Sequence, residues 1–202
     1  MLNIAVLVSG GGTNLQALLD AQARGTLHSG RITLVLSNRP DAYALTRATL
    51  AGVQAVALPK HAGETAQEYG HRLVAALAEH GIGLVVLAGF LCILAPNVVQ
   101  AYRDRIINVH PSLIPSFCGQ GYYGLRVHEA ALAMGVKVTG ATVHLVNEVP
   151  DGGRILAQKA VAIQAGDTPE ALQKRVMEEA EWVLLPQQTE YVAARVSQGL
   201  EV

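Results

Sequence analysis

Within Ile107-Asn108-Val109-His110-Pro111-Ser112-Leu113-Ile114-Pro115, a carboxamide and an imidazole stand two positions apart. Residues two apart in a strand share a face, so Asn108 and His110 project side by side if the apolar run from Arg105 to Val109 is extended. Pro111 cannot donate a ladder hydrogen bond and Pro115 closes the segment, so the chain leaves the sheet there. A carboxamide can hold a carbonyl oxygen as it gains negative charge, and an imidazole can stabilise the same oxygen or move a proton. That is the equipment of acyl-type chemistry. A histidine bonded to a neighbouring loop gives the same letters, because a three-residue pattern matches often by chance. A third group decides between them. Asp151, in Asp151-Gly152-Gly153 between two expected strands, reads locally as a hairpin turn. Folded toward His110, its carboxylate would favour the imidazolium and raise that pKa above its usual value of about 6.5.

Ser9-Gly10-Gly11-Gly12-Thr13-Asn14 follows an apolar run, Leu2 to Val8, and precedes leucines at helical spacing. Glycines let main chain approach an anion closely, and a helix start offers free N–H groups, so the loop suits a phosphate. A tight strand-to-helix turn is the plainer alternative. A dinucleotide is disfavoured: the third fingerprint glycine would fall at Leu15, and the second strand ends in Leu36-Ser37-Asn38 without an acidic residue. Gly-Lys-Ser/Thr is absent, so this is not a Walker loop.

Composition narrows the classes. Half of the 202 residues are apolar and 15% are charged, which describes a folded chain and not a disordered one. A net charge of -1 supplies no basic footprint, so no nucleic-acid partner is expected. The N-terminal apolar run is too short to span a bilayer, so no membrane association is expected either. Cys92 and Cys118 form no CxxC pair, and the seven histidines lack metal spacing: His128-Glu129 begins like a zincin helix, but Leu132 stands where a second ligand would be. No metal is implied. A reducing, cytoplasmic location is the expectation.

The elements that must position these residues alternate. Strands are expected at Leu2–Val8, Arg31–Leu36, Gln54–Leu58, Leu84–Ala88 and Arg105–Val109. Helices are expected from Thr13 or Asn14 (Thr13 and Gln16 resembling a capping box), Asp41–Ala51, Glu64–His80 and Ala95–Tyr102. Such alternation predicts parallel βαβ units. A helix over Leu125–Met134 then precedes Val138–Val146 and Ile155–Ile163, read as antiparallel strands joined by a turn at one sheet edge. A last helix starts at Pro169, capped by Asp167 or Thr168, and is expected to reach Leu185, where Pro186 interrupts it. The fold class is therefore α/β and Rossmann-like: a mostly parallel twisted sheet, helices on both faces, an antiparallel edge hairpin. Residues 1–202 read as one domain. Ligands bind beyond the carboxyl ends of parallel strands. Ser9–Asn14, Gly89–Leu94 and Asn108–Ile114 all fall there, and the second of these offers an apolar wall for a flat heterocycle.

SGGGTNLQ, LAGFLCIL, INVHPSLIP and VPDGG, in this order along nearly the whole chain, resemble the phosphoribosylglycinamide formyltransferase family, which uses 10-formyltetrahydrofolate as co-substrate. The resemblance implies formyl transfer from that folate to the amino group of glycinamide ribonucleotide in purine synthesis. It implies Asn108, His110 and Asp151 as the catalytic trio, with Gly12, Thr13 and Asn14 on the nucleotide's phosphate. Glu181 matches a glutamate contacting the substrate amine, and Leu91, Cys92, Ile93, Leu94 and Asn108 would line the folate site. Cys92 stands where relatives often carry arginine, so different contacts are expected at the mouth of the folate pocket; Ala66 stands where some relatives carry an arginine near the folate tail, and that contact is not carried over. His128 matches a histidine near the site. Ser116–Gly124 is longer than the better-known pattern and reads either as a hinged flap or as a surface insertion. Oligomerisation is open between monomer and homodimer. A formyltetrahydrofolate deformylase would leave the glycine loop idle, and a methionyl-tRNA formyltransferase would need a further basic domain. A phosphosugar-binding module without catalysis would leave the trio unrelated.

Overall fold

Strand β1 (Leu2–Val8) lies at the centre of the computed structural model, which describes residues 1–202. Its side chains alternate between two apolar cores: Ile4, Val6 and Val8 enter one, Ala5 and Leu7 the other. This double burial is why the run is continuously apolar and not alternating. Parallel to it run β2 (Gly30–Ser37), β3 (Gln54–Ala57), β4 (Leu84–Leu87) and β5 (Ile106–His110). Strands β6 (Val138–Leu145) and β7 (Ile155–Ala162) complete the sheet as an antiparallel edge, in the order β3-β2-β1-β4-β5-β6-β7. The expected Rossmann-like sheet with an antiparallel hairpin is the observed one.

Helices α1 (Thr13–Ala23), α2 (Tyr43–Leu50), α3 (Ala66–Glu79), α4 (Pro96–Ala101) and α5 (Leu125–Met134) follow, with α6 (Pro169–Val176) and α7 (Trp182–Ser197) at the C-terminus. Leu15 and Leu18 of α1 and Leu185 and Val192 of α7 fill the larger core, whereas Leu73 and Leu77 of α3 and Val98 of α4 fill the other. Helix α3 has a complete capping box, Thr65 with Glu68, that the sequence reading passed over. Strand order reverses on either side of β1, which opens a crevice at the carboxyl ends of β1 and β4.

Three local expectations are corrected. Pro186 does not end the last helix. It lies inside α7, which is anchored by buried Leu184, Leu185, Thr189 and Val192. The irregularity comes earlier, in a π turn over Met177–Glu181, where the Trp182 N–H reaches back five residues to the Met177 carbonyl and Ala180 and Glu181 are buried. Asp151-Gly152 is not a two-residue hairpin turn either. It sits in the Val146–Arg154 connection, where the Gly152 N–H bonds the Val149 carbonyl around Pro150 and Asp151 (φ 55°), the arrangement of a type II turn.

The third correction concerns the start of α1. Gly12 is the N-cap, left-handed at φ 74°, and no side chain caps the helix, so Thr13 and Gln16 form no capping box. A Cβ on Gly12 would lie 2.6 Å from the Ala44 Cβ, whereas one on Gly10 or Gly11 would meet nothing within 4 Å. Gly12→Ala is therefore expected to cost about 2–4 kcal/mol, from left-handed strain plus overpacking. Gly10→Ala and Gly11→Ala should each stay within about 0.5 kcal/mol of the parent. Urea midpoints of the three variants check this; equal midpoints would contradict the steric role of Gly12.

Candidate active site

Antiparallel pairing of β5 with β6 sets Asn108 opposite His144 and His110 opposite Thr142. His144 Nδ1 donates to the Leu145 carbonyl at 2.8 Å, which makes Nε2 the acceptor for Asn108 Nδ2 at 3.1 Å. The second N–H of that amide faces Asp151 Oδ1 at a loose 3.5 Å. His110, 5% exposed, donates from Nε2 to the Phe117 carbonyl at 2.8 Å and turns Nδ1 toward Asp151 Oδ2 at 3.6 Å. Gly119 N–H donates to that same Oδ2 at 2.8 Å, and His144 Nε2 lies 3.5 Å from Oδ1. Asn108, His110 and Asp151, read separately from the sequence, thus meet around one carboxylate.

They line one end of a cavity of about 530 Å³. Leu91, Cys92, Ile93 and Leu94 line it from the loop after β4, and the Gly119–Gly124 segment from a further side. Leu91 and Ile93 are 59% and 68% exposed, so they present apolar surface to a ligand where a core role would have hidden them. Ser9 joins the loops: its hydroxyl donates to Asn38 Oδ1 and accepts the Leu91 N–H, while its own N–H bonds the Gly89 carbonyl. Phe117, like Asp151, is left-handed (φ 50°), and its ring meets Tyr122 edge-on at 6.3 Å. The Ser116–Gly124 segment therefore reaches over the His110–Asp151 pair through a carbonyl and an N–H.

Gly12, Thr13, Asn14 and Glu181 lie outside that cavity and gather at the start of α1. Asn14 Nδ2 donates to Glu181 Oε2 at 2.6 Å, and Thr13 Oγ1 lies 3.7 Å from Met177 Sδ. The glycine loop has a definite polarity. Gly10 O accepts from Ala44 N, Gly11 O from Arg47 Nε and Gly12 O from Gln16 N, yet none of the six main-chain N–H groups from Gly10 to Leu15 has an acceptor within the protein. Carbonyls tied back with donors left forward make an anion cradle. No group of three or more His, Cys, Asp or Glu side chains could hold a metal ion, and no helix is long and apolar enough to cross a membrane.

A family model described as formyl transferase matches residues 2–188. This chain belongs to the formyl transferase family. The formyl transferase is 38% identical over 175 residues to phosphoribosylglycinamide formyltransferase of Escherichia coli, covering 87% of this chain and 80% of that one. It is 41% identical over 177 residues to the chloroplastic phosphoribosylglycinamide formyltransferase of Arabidopsis thaliana, again over 87% of the chain but only 60% of the plant protein's length. Among solved structures, glycinamide ribonucleotide transformylase 1 of Symbiobacterium toebii superposes with a TM-score of 0.88 at 39% identity, over 98% of this chain and 89% of that one.

Sequence reasoning on this formyl transferase missed His144, and the signal was available. Val138–Val146 reads as an antiparallel strand, and a histidine at its far end falls near the carboxyl end of the fifth strand once the two pair. The expected pKa of His110 is also corrected. Burial pushes it below the ordinary histidine value and His144 adds to this, while Asp151 and the Phe117 carbonyl oppose without overcoming it. For Asp151 burial is the largest influence and pushes upward, but His144, the charge of His110 and the Gly119 N–H together hold the carboxyl below its usual range. His128 is fully buried, both ring nitrogens lack partners, and burial aided by His110 takes its pKa to about 4.

Burial pushes the Glu181 carboxyl up to about 7, against the Asn14 hydrogen bond, which pulls the other way. Its proton would also offer a donor to Asn14 Oδ1, which is buried without a partner. A carboxyl with a raised folded pKa stays protonated in the folded state after the unfolded chain has lost its proton, so stability falls as pH rises from 4.5 to about 7. Glu181→Gln keeps the shape without the titration. From about pH 5 to about pH 8 the wild type should lose roughly 3 kcal/mol relative to Glu181→Gln in urea unfolding. A difference that stays flat with pH would contradict a titrating Glu181.

Proposed function

We propose that this protein transfers the formyl group of 10-formyltetrahydrofolate to the amino group of glycinamide ribonucleotide, the step of purine synthesis named for its relatives. The observation carrying the reading is the convergence of Asn108 and His110, each within 3.6 Å of the Asp151 carboxylate, at one end of an apolar-walled cavity. The fused ring of the folate is assigned to Leu91–Leu94, and its formyl carbonyl to the Asn108 amide. The nucleotide's phosphate is assigned to the N–H face of Gly12, Thr13 and Asn14, with Glu181 behind them facing the acceptor. The whole of residues 1–202 acts as one formyltransferase domain in this reading. Both cysteines are free, in keeping with a reducing compartment such as the cytoplasm.

The neutral amine attacks the formyl carbon, and the carbonyl oxygen becomes an oxyanion. Asn108 Nδ2 meets it with the N–H that has only a loose partner at 3.5 Å. His110, neutral at pH 7 because burial lowers its pKa, still carries a Nε2 hydrogen, and exchanges the Phe117 carbonyl for the oxyanion. The proton that the amine sheds can be held at Nδ1, which faces Asp151, while negative charge grows beside the ring, and is released again toward N10 as the intermediate collapses. The carbon–N10 bond then breaks, N10 takes up one proton and the former amine gives one up. Asp151 is the group within reach to relay it through water.

Asn108→Ala and His110→Ala should each lower turnover by about 10²–10³-fold with the fold intact by circular dichroism. Near-normal turnover in either variant would defeat the assignment. Purified protein supplied with 10-formyltetrahydrofolate should release folate product only when glycinamide ribonucleotide is added. Product without the nucleotide means a deformylase, and none in either case means a binding module or a methionyl-tRNA formyltransferase.

A further inference from the structure

The three glycine carbonyls are not tied in the same way. Gly10 O and Gly12 O accept main-chain N–H groups, from Ala44 and Gln16, and those bonds come with the fold of α2 and α1. Gly11 O alone is held by a side chain, Arg47 Nε at 2.8 Å. We propose that Arg47 is a positioning residue that sets the affinity of the loop for the phosphate monoester of the acceptor substrate, by keeping the Gly11–Gly12 peptide oriented with its N–H outward. The inference rests on the phosphate assignment made above.

The carbonyl of Gly11 and the N–H of Gly12 belong to one planar peptide. Held on the α2 side, that plane points its N–H toward the N–H face of the loop. Rotated over, it would point a carbonyl oxygen there, against an anion. On the Gly11 side the backbone itself is permissive: glycine flanks the peptide on both sides, and nothing lies within 4 Å of where a Gly11 Cβ would be, whereas Gly12 packs closely on Ala44. Arg47 is itself braced, by Nη1 on Gln16 Oε1 at 2.9 Å and by its guanidinium carbon 5.1 Å from the Tyr43 ring centre. Gln16 is anchored in turn on Asp20. The guanidinium is also the one side-chain cation hydrogen-bonded to this loop, so it contributes field as well as orientation.

The experiment compares wild type, Arg47→Ala and Arg47→Lys on glycinamide ribonucleotide and on the dephosphorylated riboside. With Arg47→Ala, the KM for the ribonucleotide should rise about 10–100-fold, the loss of one charge-assisted tie. The kcat at saturation and the KM for the folate should stay within about two-fold, and the kcat/KM preference for ribonucleotide over riboside should fall as the KM rises. Arg47→Lys, which keeps the charge and one donor for Gly11 O, should recover part of the preference. An unchanged ribonucleotide KM in Arg47→Ala, with wild type still preferring the ribonucleotide, overturns the role of Arg47 and leaves the phosphate assignment standing. Wild type with no preference overturns that assignment and this inference with it. A joint loss of kcat, folate affinity and thermal stability, unrescued by lysine, would make Arg47 merely structural and overturns the inference too.

Discussion

One half-buried carboxylate organises the candidate site. Asp151 faces His110 from one oxygen and His144 and Asn108 from the other, and takes its one short bond, 2.8 Å, from the Gly119 N–H. A charge taken from water must find donors, and here they are the Gly119 N–H of the Ser116–Gly124 segment and, more loosely, the Asn108 amide of β5. Asp151 holds a left-handed conformation to stand there. The remaining contacts, at 3.5–3.6 Å, are ones a reacting group can displace without first breaking a tight hydrogen bond.

The second centre is built on the opposite polarity. At the glycine loop no carboxylate is turned outward; six N–H groups are left over, their neighbouring carbonyls consumed by α1 and α2. Glu181 is buried with its carboxyl pushed up to about 7, so near neutral pH it is only partly ionised and opposes an anion there less than a full charge would. Ser9, at the end of β1, binds the loop after β4 and thereby couples the two centres mechanically. In the proposed reaction, an acceptor amine and a donor carbonyl would be held from opposite ends, which is where proximity contributes most to group transfer.

Much of this was legible in residue order. The unbroken apolar runs Leu2–Val8 and Leu84–Ala88 announce strands covered on both faces, and the sheet is built on them. Asn108 and His110 are two apart, so their common face follows from strand geometry alone. Other features were not legible because they depend on distant neighbours. Pro186 breaks an isolated helix, but here five buried side chains hold α7 across it. Thr13 has the composition of a capping residue, yet the close approach of Ala44 makes glycine the cap. His110 has a carboxylate beside it, which argues for a raised pKa, but the depth of its burial is a tertiary quantity, and it wins.

By itself, then, the sequence determined the element order, the parallel core of the sheet, the loops at its carboxyl edge and the chemical kind of each candidate group. Those follow from periodicity, glycine and proline placement and side-chain chemistry, all of which act over a few residues. Only the tertiary structure decided that His144 stands opposite Asn108, that the Phe117 carbonyl occupies the His110 Nε2 hydrogen, that Arg47 braces Gly11, and which way each buried pKa moves. Strand pairing, contact and loss of water are set by residues tens of positions away, and no local pattern encodes them.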